Sequence, residues 1–173
     1  MYTASRNGRL EIVKLLLADE RVHVNKALNG GCSSLYIASE KGHVEIVKVF
    51  LADERVAVNK ATDYGQMSLY LALLKGNVEI VKLLLTDERL DVNKATYNGS
   101  TNLYIASMEE HVEIVKLLLA DERVDVNMGE DGWTSLHTAS FGKTEIVKLL
   151  LDADGIDVNN AEEDGSTSLH LAS

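Results

Sequence analysis

The stretch HVEIVKVFLADERVAVN (His43–Asn59) joins a Glu-Ile-Val-Lys tetrad to an apolar run, an Asp-Glu-Arg triplet and a closing Val-Asn pair. The tetrad returns at Glu11, Glu45, Glu79, Glu113 and Glu145, with spacings of 34, 34, 34 and 32 residues. The Val-Asn pair ends at Asn25, Asn59, Asn93, Asn127 and Asn159 with the same spacings. A unit of this length copied along a chain is the mark of a repeat array, in which each unit packs on its neighbours.

Each period reads as two short helices and an extended arm. In SLYIASEKG (Ser34–Gly42), Leu35, Ala38 and Ser39 fall at helical spacing on a small-residue face, and Gly42 supplies a stop. HVEIVKVFLADE reads as a second helix, with Val44, Val47 and Leu51 along one face and Ile46, Val49 and Phe50 widening it. In VAVN, Val56 and Val58 alternate inward around an outward Ala57. Gly65 ends the turn into the next helix. Helices this short are marginal alone, so stacking must supply their stability. The expected architecture is an all-α repeat solenoid.

These motifs resemble the ankyrin repeat. The family's Thr-Pro-Leu-His opening stands as TSLH at Thr134–His137 and Thr167–His170, and as SSLY, MSLY and TNLY in the other repeats. Its Gly-His-x-Glu-Ile-Val-Lys segment matches GHVEIVK from Gly42, and its Asp-Val-Asn recurs at Asp91, Asp125 and Asp157. The resemblance implies helix-turn-helix pairs joined by β-hairpin-like turns over a single domain, residues 1–173. The periods are about 1–33, 34–67, 68–101, 102–134 and 135–167, with a partial helix at 168–173.

Departures from the family pattern carry local expectations. No proline is present, and Tyr36, Tyr70 and Tyr104 replace the opening histidine, which removes that residue's helix-opening bonds. Met67 replaces a Ser/Thr cap, a loss of about 1 kcal/mol unless Ser68 takes over. The turn NMGEDGW and the helix end SFGKT are each one residue short and should differ in geometry. Met1 aligns with Leu35 and Ser173 with Ser39, which leaves apolar ends suited to head-to-tail self-association.

The formal charge of −10 disfavours a nucleic-acid surface and favours a basic partner. No apolar run reaches membrane-spanning length. The single cysteine, Cys32, excludes an internal disulfide and suits a reducing compartment, so a cytosolic or host-cytosolic location is expected.

Asp-Glu-Arg recurs at Asp19, Asp53, Asp87 and Asp121 and degenerates to DADG at Asp152–Gly155. A catalytic carboxylate pair needs two unlike environments, whereas repeats give like ones. These triplets therefore read as solvated helix ends, with the arginine offsetting acids that oppose the helix dipole. The five histidines lack ligand spacing, and no nucleophile elbow or phosphate loop is present. The chain reads as no enzyme, with no cofactor and no metal.

Binding is carried by the positions that vary between repeats. The resemblance implies partner contact through the concave face and turn tips. The register just before the helix-ending glycine region holds Arg6, Glu40, Leu74, Met108 and Phe141, and tip positions hold Asn29, Tyr64, Tyr97 and Trp133. Tyr64, Leu74, Tyr97, Met108, Trp133 and Phe141 are the expected partner-binding set; aromatic residues are frequent interface anchors. The plainer reading packs Leu74 and Phe141 on neighbouring helices and lays the tip tyrosines over loops. Glu130, Asp131, Glu162, Glu163 and Asp164 make acidic tips. Asn93 and Asn127 match the sites of asparaginyl hydroxylases in the family, although an asparagine bonding its own turn is the simpler expectation. The function expected is a protein–protein interaction scaffold; the alternative is a structural spacer or self-associating segment.

Overall fold

The computed structural model describes residues 1–162 and 164–172. Glu163, an expected acidic tip residue, and Ser173, the expected counterpart of Ser39, lie outside the described residues. Eleven α-helices are present among the described residues, and the chain forms two compact units, Met1–Asp91 and Val92–Ser173.

The first unit contains α1 (Tyr2–Arg6), α2 (Leu10–Ala18), α3 (Ser34–Glu40), α4 (Val44–Leu51), α5 (Ser68–Leu74) and α6 (Val78–Leu85). First helices pack in series, α1 on α3 on α5, and second helices likewise, α2 on α4 on α6. Each first helix also packs on the second helix that follows it. The second unit contains α7 (Asn102–Met108), α8 (Val112–Leu119), α9 (Ser135–Ala139), α10 (Thr144–Leu151) and α11 (Ser168–Leu171). There α7, α9 and α11 form the first-helix series, and α8 packs on α10.

Burial explains why these segments are helical. Ile46, Val47 and Phe50 are 2%, 0% and 1% exposed, and their counterparts Ile80, Val81, Leu84, Ile114, Val115 and Leu118 are fully buried. The core stripe of the second helix thus runs through Ile46, Val47 and Phe50. The expected Val44–Val47–Leu51 line is corrected: Val44 and Leu51 are only half-buried, on the flanks. Each large side chain buried this way contributes about 1.5–3 kcal/mol. The helix also ends at Leu51, so Ala52, Asp53 and Glu54 lie beyond it.

The first helices close on a backbone motif. In α3 the His43 N–H reaches the Ala38 carbonyl (3.0 Å) and the Gly42 N–H the Ser39 carbonyl (3.3 Å), with Gly42 at φ 73°. The same pair closes α5 through Asn77 and Gly76, and α7 through His111 and Glu110. Glu110 takes the glycine's place at φ 59°. The shortened SFGKT end differs, as expected: a bond from the Lys143 N–H to the Ala139 carbonyl (2.9 Å) stands in place of that pair.

At the helix openings, the Ser33 and Thr101 hydroxyls accept from the Tyr36 and Tyr104 N–H groups, both at 3.1 Å. Where histidine is kept, the Thr134 N–H donates to His137 Nδ1 (3.2 Å), and Thr167 and His170 repeat the bond. Tyr36 instead directs its hydroxyl to Gln66 Oε1 (3.0 Å), and burial pushes that hydroxyl up to about 12. Ser68 does not replace the missing cap at Met67, because its Oγ is buried without a partner.

Candidate functional site

The Asp-Glu-Arg triplets at Asp53 and Asp87 connect successive repeats. Asp53 Oδ1 accepts from the Arg55 backbone N–H (3.0 Å) and Nε (2.9 Å), and Oδ2 accepts from Nη2 (2.6 Å). The guanidinium so held donates to the carbonyl of Leu17, near the end of α2 in the preceding repeat (2.6 Å). Arg89 repeats this on the Leu51 carbonyl at the end of α4 (3.0 Å) and adds the Glu54 (3.2 Å) and Val56 (3.3 Å) carbonyls. The arginine therefore caps the helix of the repeat before it, which corrects the expectation that it serves its own helix end. Hydrogen bonds from Arg55 hold the Asp53 carboxyl below the usual carboxylate range, and Arg21 and Arg123 do the same for Asp19 and Asp121.

The Val-Asn pair connects in the opposite direction. Asn59 Nδ2 donates to the Arg89 carbonyl (2.6 Å), and its Oδ1 accepts from the Asp91 N–H (2.8 Å). Asn25 makes the same two bonds to Arg55 and Ala57, and Asn93 to Arg123 and Asp125. Asn127 makes them to Gly155 and Asp157, although that repeat is two residues shorter. These carboxamides bond the next repeat, not their own turn as expected; in the own-turn bond at Asn127, the Asn127 N–H donates to Asp125 Oδ1 (3.0 Å).

The turn tips explain the short repeat. At Thr62–Gln66 the Thr62 N–H bonds the Gln66 carbonyl and the Gly65 N–H bonds the Thr62 carbonyl, both at 2.9 Å, a three-residue loop with a left-handed Gly65. The tips at Thr96–Ser100 and Glu162–Ser166 share this bonding. The tip missing one residue is a two-residue turn, with Asp131 at φ 50°, Gly132 at φ 85° and a bridge from Glu130 to Trp133. Trp133 lies on the returning arm, immediately before the cap Thr134 as Gln66 and Ser100 lie before theirs, and is half-buried. It does not project from the tip as Tyr64 and Tyr97 do, which are 73% and 76% exposed.

In the second unit Trp133 stacks on Phe141, ring centres 5.9 Å apart and planes 17° apart, with Phe141 61% exposed. Met108 is 36% exposed at the end of α7. Tyr64 and Leu74 belong to the first unit, where Leu74 is half-buried at the end of α5. Of the expected set, ring contact joins Trp133 to Phe141.

Beside that stack lies a hollow of about 400 Å³, lined by Asn98, Gly99, Ser100, Tyr104, Glu130, Asp131, Trp133 and Glu162. Among the described residues it contains three carboxylates and no cationic side chain. The charge distribution points the same way. Residues 1–91 carry twelve Lys/Arg against twelve Asp/Glu, and residues 92–173 five against fifteen, so the formal charge of −10 lies wholly in the second unit. Tyr104 and Asn98 were missed in the sequence because their approach to Glu162 spans most of two periods.

The family model for ankyrin repeats matches three times, at residues 1–96, 88–162 and 124–173, and so spans the chain. The chain belongs to the ankyrin repeat family. An ankyrin repeat domain from Acinetobacter baumannii AYE has a similar structure, with TM-score 0.89, 26% identity, and coverage of 99% of this chain and 88% of that one. The ankyrin repeat protein EF0377 is similar at TM-score 0.88 and 27% identity, covering 98% of this chain and 88% of the other. No curated protein matches the sequence. Ankyrin repeats are in general protein–protein interaction modules, and the fold is typically a non-enzymatic scaffold.

Proposed function

We propose that this ankyrin array is a non-catalytic scaffold that docks a protein partner on the hairpin tips and the C-terminal ends of its first helices. The observation that carries the reading is the Trp133–Phe141 stack, partly open to solvent beside the acidic hollow. An aromatic pair of this kind supplies buried area at low entropic cost when a partner covers it. Met108 and Tyr97 extend the contact in the second unit, and Tyr64 and Leu74 offer the corresponding positions in the first. The single cysteine suits a reducing cytosol, the protein's own or a host's.

A photo-cross-linking residue in place of Tyr97 tests this. The expected outcome is a discrete cross-linked partner that disappears in Phe141→Glu and in Met108→Glu while far-ultraviolet circular dichroism and melting are unchanged. Cross-links that persist in both variants would remove the docking surface.

Self-association is the second reading, favoured by Ile12 and Leu15 on α2, 50% and 73% exposed, and by Leu169 on α11, 80% exposed. Sedimentation velocity over a concentration series decides it. A constant monomer mass excludes this reading.

A further inference from the structure

We infer that the hollow in the second unit receives a guanidinium side chain from a basic segment of the partner, an arginine lying along Trp133 with its charged end among Glu130, Asp131 and Glu162. The inference rests on the docking reading above and names the chemistry of its anchor.

Three observations meet at this place. The wall is aromatic, formed by Tyr104 and Trp133, and an indole face attracts a cation while packing on its aliphatic stem. The polar lining is acidic, and Glu162 Oε1, itself out of contact with solvent, has no hydrogen-bond partner among the described residues. A carboxylate oxygen withdrawn from water without a donor is costly, and a ligand donor toward which the Glu162 side chain turns recovers that cost. Finally, the excess negative charge is confined to the unit that contains the hollow. Such a field draws in a basic partner and repels a phosphate backbone.

Arginine fits better than lysine. Its planar fork presents five donors to carboxylates on several sides and stacks on a ring, whereas an ammonium is a compact, strongly hydrated charge. Among the described residues no group of three or more His, Cys, Asp or Glu is placed to hold a metal ion, so the acids are not a preformed cation cage.

Trp133 is the only tryptophan of the chain, so its emission reports on the hollow directly. The probe is a seven-residue peptide of alternating glycine and arginine, with a citrulline peptide of the same shape as the uncharged control. The arginine peptide is expected to change Trp133 emission saturably. Binding should weaken on the order of tenfold in Glu162→Gln, the loss of one charge-assisted contact. Glu54→Gln, an exposed acid of the first unit, should bind as the parent does. The pair Glu130→Gln and Asp131→Asn serves as a second test should Glu162→Gln lower the melting temperature.

No saturable change with the arginine peptide would overturn the inference. So would equal binding of the citrulline peptide, or unweakened binding by both the Glu162 variant and the Glu130/Asp131 pair. A Tyr97 cross-link that depends on Phe141 but survives Glu162→Gln would retain the docking surface and remove the guanidinium site alone.

Discussion

Glu110 stands where Gly42 and Gly76 stand in other repeats, at φ 59°, a region that opposes a side chain by roughly 1–2 kcal/mol. Its ion pair with Lys143 is long at 3.6 Å, with the Glu110 side chain 59% exposed, and offsets little of this. Glu110→Gly should therefore stabilise the protein by up to about 1 kcal/mol, seen as a rise of about 2–4 °C in thermal melting. The arginines give a graded comparison. Arg21 forks Asp19 with its side chain 89% exposed, while Arg89 caps three backbone carbonyls. Arg89→Ala should cost about 1–3 kcal/mol in urea unfolding, and Arg21→Ala almost nothing. Arg89→Lys should recover only part, because an ammonium cannot serve the aspartate and the carbonyls together. The sequence showed the acid–arginine row as a repeat boundary, but the carbonyl that Arg89 caps lies 38 residues earlier, beyond the reach of local pattern.

Among elements, the tips show how a one-residue deletion is absorbed. Removing a residue from a three-residue hairpin loop leaves a two-residue turn that needs two left-handed positions, and Asp131-Gly132 supplies them. Gly132 has a second constraint, since an added Cβ would sit 2.4 Å from the Ala161 carbonyl oxygen. Gly132→Ala should thus cost about 2–4 kcal/mol, whereas Gly165→Ala, whose Cβ would meet none of the described residues, should cost only the backbone strain of about 1–2 kcal/mol. Chemical unfolding of the two variants tests the difference. The shortened turn was visible in the sequence as a break in the period. The stack of Trp133 on Phe141 was not, because it joins the arm before α9 to the segment after it, a pairing that local pattern does not show. Met67 illustrates another balance: its side chain is 1% exposed, and burial worth about 1.5–3 kcal/mol outweighs a cap worth about 1 kcal/mol.

At the scale of the whole molecule, the paired aspartates set an acid limit. Arginine hydrogen bonds lower the Asp19, Asp53 and Asp121 carboxyls in the folded state, so their contribution is complete above the unfolded value of about 3.9. It is lost as pH falls through the lower folded values. Urea midpoints from pH 6 to pH 2 should drop in that window, and the drop should be shallower in Asp53→Asn. The fold was legible because every repeat states the same pattern and five statements average out local departures. The candidate site was legible only in part, since Trp133, Phe141 and the acids could be singled out by their variation, but not the hollow they share with Tyr104. The asparagine ladder has a further consequence. Asn25 and Asn59 bind backbone at the same offsets, residues 30 and 32 positions ahead, so each repeat presents its successor with an interchangeable socket. Excising residues 26–59 would set Asn25 against Arg89 and Asp91 with every bond remade. A shortened chain that keeps cooperative unfolding is the expected result, and gain or loss of whole units by recombination would cost such a gene little in stability.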